Sequence, residues 1–155
     1  MQLTRNLMVE CVSRLNPSSA SCIGLRATVA EAVEQLRREN VGCLVVVDDG
    51  ELVGVFTERD LLKKVLIVGG ELSTPVSAVM TANPVSVNVN DSIRSAVERM
   101  QNGGYRHLPV VDEGQQPVGI LSAKHVVQYL AEQIPATLFH RPPDPQQLPA
   151  TPDGA

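Results

Sequence analysis

The chain has 155 residues, 43% of them apolar, which is enough for one domain core or for two small units sharing one, and rules out global disorder. Aromatic residues make up 3% and Trp is absent, so the core must come from Val, Leu, Ile, Ala and Met, and a stacking platform for single-stranded nucleic acid is disfavoured. Thirteen basic residues against 17 acidic ones give a formal charge of −4, the wrong sign for a general duplex binder, so no nucleic-acid partner is expected.

In chain order, MQLTRNLMVE at the N-terminus lacks the apolar stretch of a signal peptide. No apolar run approaches the ~20 residues of a membrane-spanning helix. Cys11, Cys22 and Cys43 are an odd number without a Cys-x-x-Cys pair, so they read as small apolar side chains in a reducing compartment. The cytoplasm is the expected location, with no membrane contact.

An internal repeat organises the rest. TVAEAVEQLRRENVGCLVVVDDG (28–50) aligns with SIRSAVERMQNGGYRHLPVVDEG (92–114) at an offset of 64. Val29, Ala32, Val33 and Leu36 match Ile93, Ala96, Val97 and Met100, and both sets step as the apolar stripe of an amphipathic helix. Thr28 with Glu31 predicts a capping box for the first helix, and Asp91 or Ser92 a cap for the second. The strands CLVVVD (43–48) and HLPVVD (107–112) follow, apolar almost throughout as strands buried on both faces are. After the turns, LVGVFT (52–57) matches PVGILS (117–122), and apolar helices carrying Leu61, Leu62, Val65 and Leu66 match Val126, Val127, Leu130 and Ala131. Short extended pieces, SCIGL (21–25) and PVSVNV (84–89), precede the first helices, and GGELSTPVSAVM (69–80) reads as a loop and short helix. The expected fold is α+β, two β-α-β-β-α units over residues 10–70 and 71–134. A tail over 135–155, with five prolines from His140 onward, is expected to be disordered or docked on a partner.

VMTANPVSV (79–87), GYRHLPVVD (104–112), PVGILS (117–122) and LVGVFTERDLL (52–62) resemble the tandem cystathionine-β-synthase (CBS) domain pair, over roughly residues 10–134. The resemblance implies pseudo-two-fold symmetry and a cleft between the repeats for an adenosine-containing ligand such as AMP, ADP or ATP. It further implies a homodimer and a stand-alone, non-catalytic module that regulates an unidentified protein. No cofactor is expected beyond a bound adenine nucleotide.

Thr57, Arg59 and Asp60 stand at a strand-to-helix junction, where backbone N–H groups, a hydroxyl and a guanidinium suit a phosphate. The family pattern assigns the ribose to Asp60; the alternative is that Thr57 or Asp60 caps the helix. Arg106 and His107 are expected to meet phosphate beside Arg59, and Val85, Ser86 and Val87 to contribute to the base pocket. Ser122, Lys124 and His125 with Ser21, Cys22 and Ile23 form a weaker second cleft, since imidazole cannot chelate two hydroxyls as a carboxylate does. One nucleotide per chain, on the Thr57/Asp60 side, is therefore expected. A ligand-independent dimerisation or protein-interaction module is the alternative function.

Other chemistries lack their signatures. There is no phosphate loop of the Gly-x-x-x-x-Gly-Lys-Ser/Thr type and no Gly-x-Gly-x-x-Gly fingerprint. His107, His125 and His140 lack metal-ligand spacing to one another and to the cysteines, so no metal is expected. Cys43 and His107 occupy nearly equivalent repeat positions, but nothing supplies the orienting acid or oxyanion hole of a Cys-His nucleophile, so no catalytic residue is assigned.

Overall fold

The structure is a computed structural model describing residues 2–134; the proline-rich tail and His140 lie outside the described residues. Helix α1 (Gln2–Val9) and a 3₁₀ turn (Val12–Leu15) lead into strands β1 (Ser18–Ser19) and β2 (Cys22–Gly24). Helix α2 (Val29–Glu39), β3 (Cys43–Asp48), β4 (Glu51–Thr57) and the short α3 (Glu58–Asp60) complete the first repeat's elements. The second repeat has β5 (Thr81–Ala82), β6 (Val87–Asn88), α4 (Ile93–Gly103), β7 (His107–Val111), β8 (Pro117–Ser122) and α5 (Ala123–Gln133).

These strands form two four-stranded sheets, ordered β2-β3-β4-β5 and β1-β8-β7-β6. In each, a helix crosses between two parallel strands (β2 to β3, β6 to β7) and a hairpin returns antiparallel. The irregularities between Val46 and Val47 and between Val110 and Val111 fall at equivalent places. Each sheet is completed by a two-residue strand from outside its own β-α-β-β-α unit. Ser18 pairs opposite Ile120 in the second sheet, and Thr81 opposite Val55 in the first. This exchange was not legible, because two residues carry no periodicity.

The helical stripes bury as the spacing predicts. Val29, Ala32 and Leu36 pack with Leu44, Val46 and Phe56, while Ile93, Ala96 and Met100 pack with Leu108, Val110 and Leu121. Thr28 Oγ1 accepts the Glu31 N–H at 3.2 Å, the forward half of the expected box, and the Val29 and Ala30 N–H groups donate to the carbonyls of Thr74 and Leu72. Ser92, rather than Asp91, caps α4 by accepting from the Ser95 N–H. Both helices end on a left-handed residue, Asn40 and Gly104.

The two closing helices differ. α5 is regular, whereas the chain after α3 widens into a π-helical segment (Leu61–Leu66), with the Ile67 N–H donating to the Leu62 carbonyl at 3.0 Å. Of the expected apolar positions there, Val65 is buried, but Leu62 and Leu66 are exposed; on α5, Val127 is exposed and Tyr129 is buried. Tyr129 joins Val12 and Leu15 in the second core, at the repeat position that Lys64 holds in the first.

Candidate functional site

Each repeat brings the entrance of its central strand against the start of its closing helix. The Glu58 N–H donates to the Gly42 carbonyl at 3.2 Å, and the equivalent Ala123 N–H to the Arg106 carbonyl at 3.1 Å. The two sheets meet in a small apolar seam of Cys43, Val45, Val55 and Ile120.

One junction is closed. Asp60 is buried at 6% exposure, and its side chain is saturated by the protein. Its Oδ2 accepts from the Thr57 N–H at 3.0 Å and from Thr57 Oγ1 at 3.2 Å. Thr81 Oγ1 donates to its Oδ1 at 3.2 Å, and Lys64 Nζ pairs with the same oxygen at 3.0 Å. Thr57 Oγ1 in turn accepts the Asp60 N–H, which makes a capping box. Arg59 is exposed at its edge.

The other junction is open. A cavity of about 380 Å³ is lined by Ser18, Ser19 and Ser21, by Asn40 to Cys43, by Arg106, His107 and Ile120, and by Ser122 to His125. His125 stands where Asp60 stands in the first repeat. Its Nδ1 accepts the Ser122 N–H at 2.8 Å, which fixes the neutral ring with its proton on Nε2, directed at Ser18 Oγ 3.1 Å away. Burial lowers the pKa of His125, and Lys124 adds to the effect. Burial also lowers that of His107, with Glu58 pulling upward and Arg106 and His125 pushing downward.

Of the residues singled out in the sequence, Ser21, Arg106, His107, Ser122, Lys124 and His125 come together around this cavity. Arg106 and His107 line it with Lys124, and His107 also lies close enough to Glu58, the neighbour of Arg59, to feel its charge. Thr57, Arg59 and Asp60 lie outside its lining, as do Cys22 and Ile23, the latter buried in the first core. Val85 is exposed, Val87 is buried in the second core, and the Ser86 carbonyl accepts from Arg99 at 2.7 Å. The lining residues that sequence reasoning did not single out include Ser18 and Ser19, on the exchanged strand.

Burial pushes the Cys43 thiol up to about 12, so it stays protonated at neutral pH and does not serve as a thiolate beside His107. Among the described residues, no group of three or more His, Cys, Asp or Glu is placed to hold a metal ion.

Two repeated α+β units that exchange edge strands around a shared cleft define the class of this molecule as a tandem domain pair. The chain belongs to the CBS domain family, whose profile matches residues 16–67 and 76–132. It is 39% identical over 114 residues to the meiotically up-regulated gene 70 protein of Schizosaccharomyces pombe, a match covering 73% of this chain and 16% of that protein. It is 33% identical to the CBS domain-containing protein YhcV of Bacillus subtilis, covering 79% of this chain and 81% of that one. In structure it is similar to the CBS domain protein PAE2072 from Pyrobaculum aerophilum complexed with AMP, at 25% identity and a TM-score of 0.70, over 79% of this chain and 98% of that one.

Proposed function

We propose that this CBS pair is a non-catalytic regulatory module that admits an adenosine-containing compound to the cavity beside His125 and changes a partner contact when it fills. The observation that carries this reading is the cavity itself. At about 380 Å³ it falls within the ~300–1,000 Å³ of small-molecule sites, and it joins an apolar wall to a basic rim. Val41 and Ile120 suit a purine face, and Arg106 and Lys124 suit phosphate. The AMP complex of the Pyrobaculum aerophilum relative supports the ligand class. The Thr57–Asp60 side is a second station, which a ribose reaches only by displacing Lys64 and Thr81 from Asp60.

The exposed Leu62, Leu66, Ile67 and Val68 form an apolar run at the end of the first repeat, which we assign to a homodimer contact. The same run favours the second reading, a ligand-independent interaction module. Among the described residues no helix is long and apolar enough to cross a membrane, and the three free cysteines suit a cytoplasmic setting.

A thermal-shift screen with AMP, ADP, ATP and S-adenosylmethionine decides between the two readings. A ligand at a hundred times its Kd stabilises the folded chain by about 2.7 kcal/mol. A shift that is lost in Arg106→Ala/Lys124→Ala supports the sensor; no shift with any compound leaves the interaction module.

A further inference from the structure

The cavity's polar groups are unbalanced in a way that sets what it can recognise. Its lining holds four serines, Asn40, Arg106, Lys124 and two histidines, and no carboxylate. A ribose diol is best held by an acceptor that takes both hydroxyl protons, and His125, which stands at the repeat position of Asp60, does not supply one. Its acceptor nitrogen Nδ1 is already occupied by the Ser122 N–H, and its Nε2 faces Ser18. The carboxylates nearby do not serve either. Asp60 is saturated at the closed junction, and Glu58, which would touch a side chain at Gly42, lies outside the lining.

We infer that this cavity selects its ligand by phosphate charge and is indifferent to the ribose diol, so that ribo- and 2′-deoxyribonucleotides are accepted alike. The inference rests on the proposed nucleotide reading and adds its specificity. The charged groups left to do the selecting are the Arg106 guanidinium and the Lys124 ammonium, both exposed at the rim, while the serines and Asn40 offer a sugar hydroxyl only the weaker neutral bonds. His125 is the residue that withholds diol recognition. The first repeat shows that a carboxylate is accommodated at this position as a helix cap, since Asp60 fills the same role with Thr57.

The test is calorimetric titration of the whole chain with ATP, AMP, 2′-deoxy-AMP, adenosine and inorganic tripolyphosphate, repeated for His125→Asp and for Arg106→Ala/Lys124→Ala. The expected result is AMP and 2′-deoxy-AMP within about threefold of each other, ATP tighter than AMP, and adenosine at least about tenfold weaker than AMP. The His125→Asp chain should separate AMP from 2′-deoxy-AMP by about tenfold, the size of one charge-assisted bond. The double variant should lose ATP affinity and leave adenosine unchanged. A wild-type chain that prefers AMP to 2′-deoxy-AMP by tenfold, or that binds adenosine as well as AMP, overturns the inference and leaves the nucleotide reading in place. Binding of tripolyphosphate with no response to any adenosine compound overturns the nucleotide reading while keeping the charge selection, and silence to all five overturns both.

Discussion

Asp60 and His125 occupy the same position in the two repeats, and each closes the helix that it opens. The Thr57 N–H donates to Asp60 at 3.0 Å and the Ser122 N–H to His125 at 2.8 Å. Their second partners are equivalent too, Thr81 on β5 for Asp60 and Ser18 on β1 for His125. What differs is the cation. Lys64 pairs with Asp60, whereas its counterpart Tyr129 is buried in the core. One cap is thus held by an ion pair, and the cavity of about 380 Å³ lies at the other.

Asp60→Ala should cost stability more than it costs ligand affinity. The change strips the Thr57 N–H, the Thr81 hydroxyl and the Lys64 ammonium of a shared acceptor at a buried site. Bonds to a charged acceptor are worth ~1.5–3 kcal/mol each, and Lys64 regains water, so a loss of about 2–4 kcal/mol is expected. Urea unfolding of the variant, with the wild type as reference, measures it. An unchanged midpoint would show that these bonds stabilise nothing.

Acid should weaken the fold through the two cavity histidines. Both His107 and His125 have pKa values lowered from 6.5, chiefly by burial, so the unfolded chain takes up their protons first as the pH falls. Their contribution to stability is therefore complete above the unfolded value and is lost as the pH drops from there through the folded values. Melting temperature should fall between pH 7.5 and 5.5, and the slope should flatten in a His107→Gln/His125→Gln chain. An identical slope in that chain would assign the pH dependence to other groups.

The repeat, its two helical stripes and its hairpin strands were legible because burial writes a period into the sequence. Val29, Ala32 and Leu36 and their counterparts Ile93, Ala96 and Met100 carry that period, and all six are buried. The strand exchange was not legible, since β1 and β5 are two residues each and are held by backbone bonds that leave no side-chain pattern. The cavity inherits this gap. Ser18 and Ser19 reach it only because β1 crosses to the second sheet. The family pattern made Asp60 a ribose candidate, but in this structure Lys64, four residues on, pairs with its carboxylate, whereas the counterpart four residues past His125 is the buried Tyr129. The helix-cap alternative for Thr57 and Asp60 describes their bonds in this structure.

Leu66→Asp should separate a dimer into monomers without unfolding it. Leu66 is 54% exposed and Ile67 77%, so the new charge meets water in the monomer and an apolar surface only in an assembly. Light scattering at micromolar concentration reads the mass directly. A wild-type chain that is already monomeric, or a variant that stays dimeric, removes this run from the interface.

Gly119→Ala should damage the fold and the cavity together, and Gly54→Ala the fold alone. The two glycines are equivalent residues of β8 and β4, and both lie beneath an exchanged strand. A Cβ on Gly119 would stand 2.8 Å from the Ser18 carbonyl oxygen, a backbone atom that cannot turn aside. To admit it, β1 must lift from β8, and with it go Ser18, the partner of His125, and Ser19 on the cavity wall. A Cβ on Gly54 would stand 2.5 Å from Met80 Sδ, which can swing, and 3.0 Å from the Thr81 carbonyl oxygen, which must shift with β5. Overpacking of this kind costs ~1–3 kcal/mol. Both variants should therefore unfold at lower urea, while nucleotide affinity falls by about tenfold or more in Gly119→Ala and stays within about threefold of wild type in Gly54→Ala. Equal loss of affinity in the two variants would mean that the ligand depends on both junctions, and loss in Gly54→Ala alone would move it to the Thr57–Asp60 side.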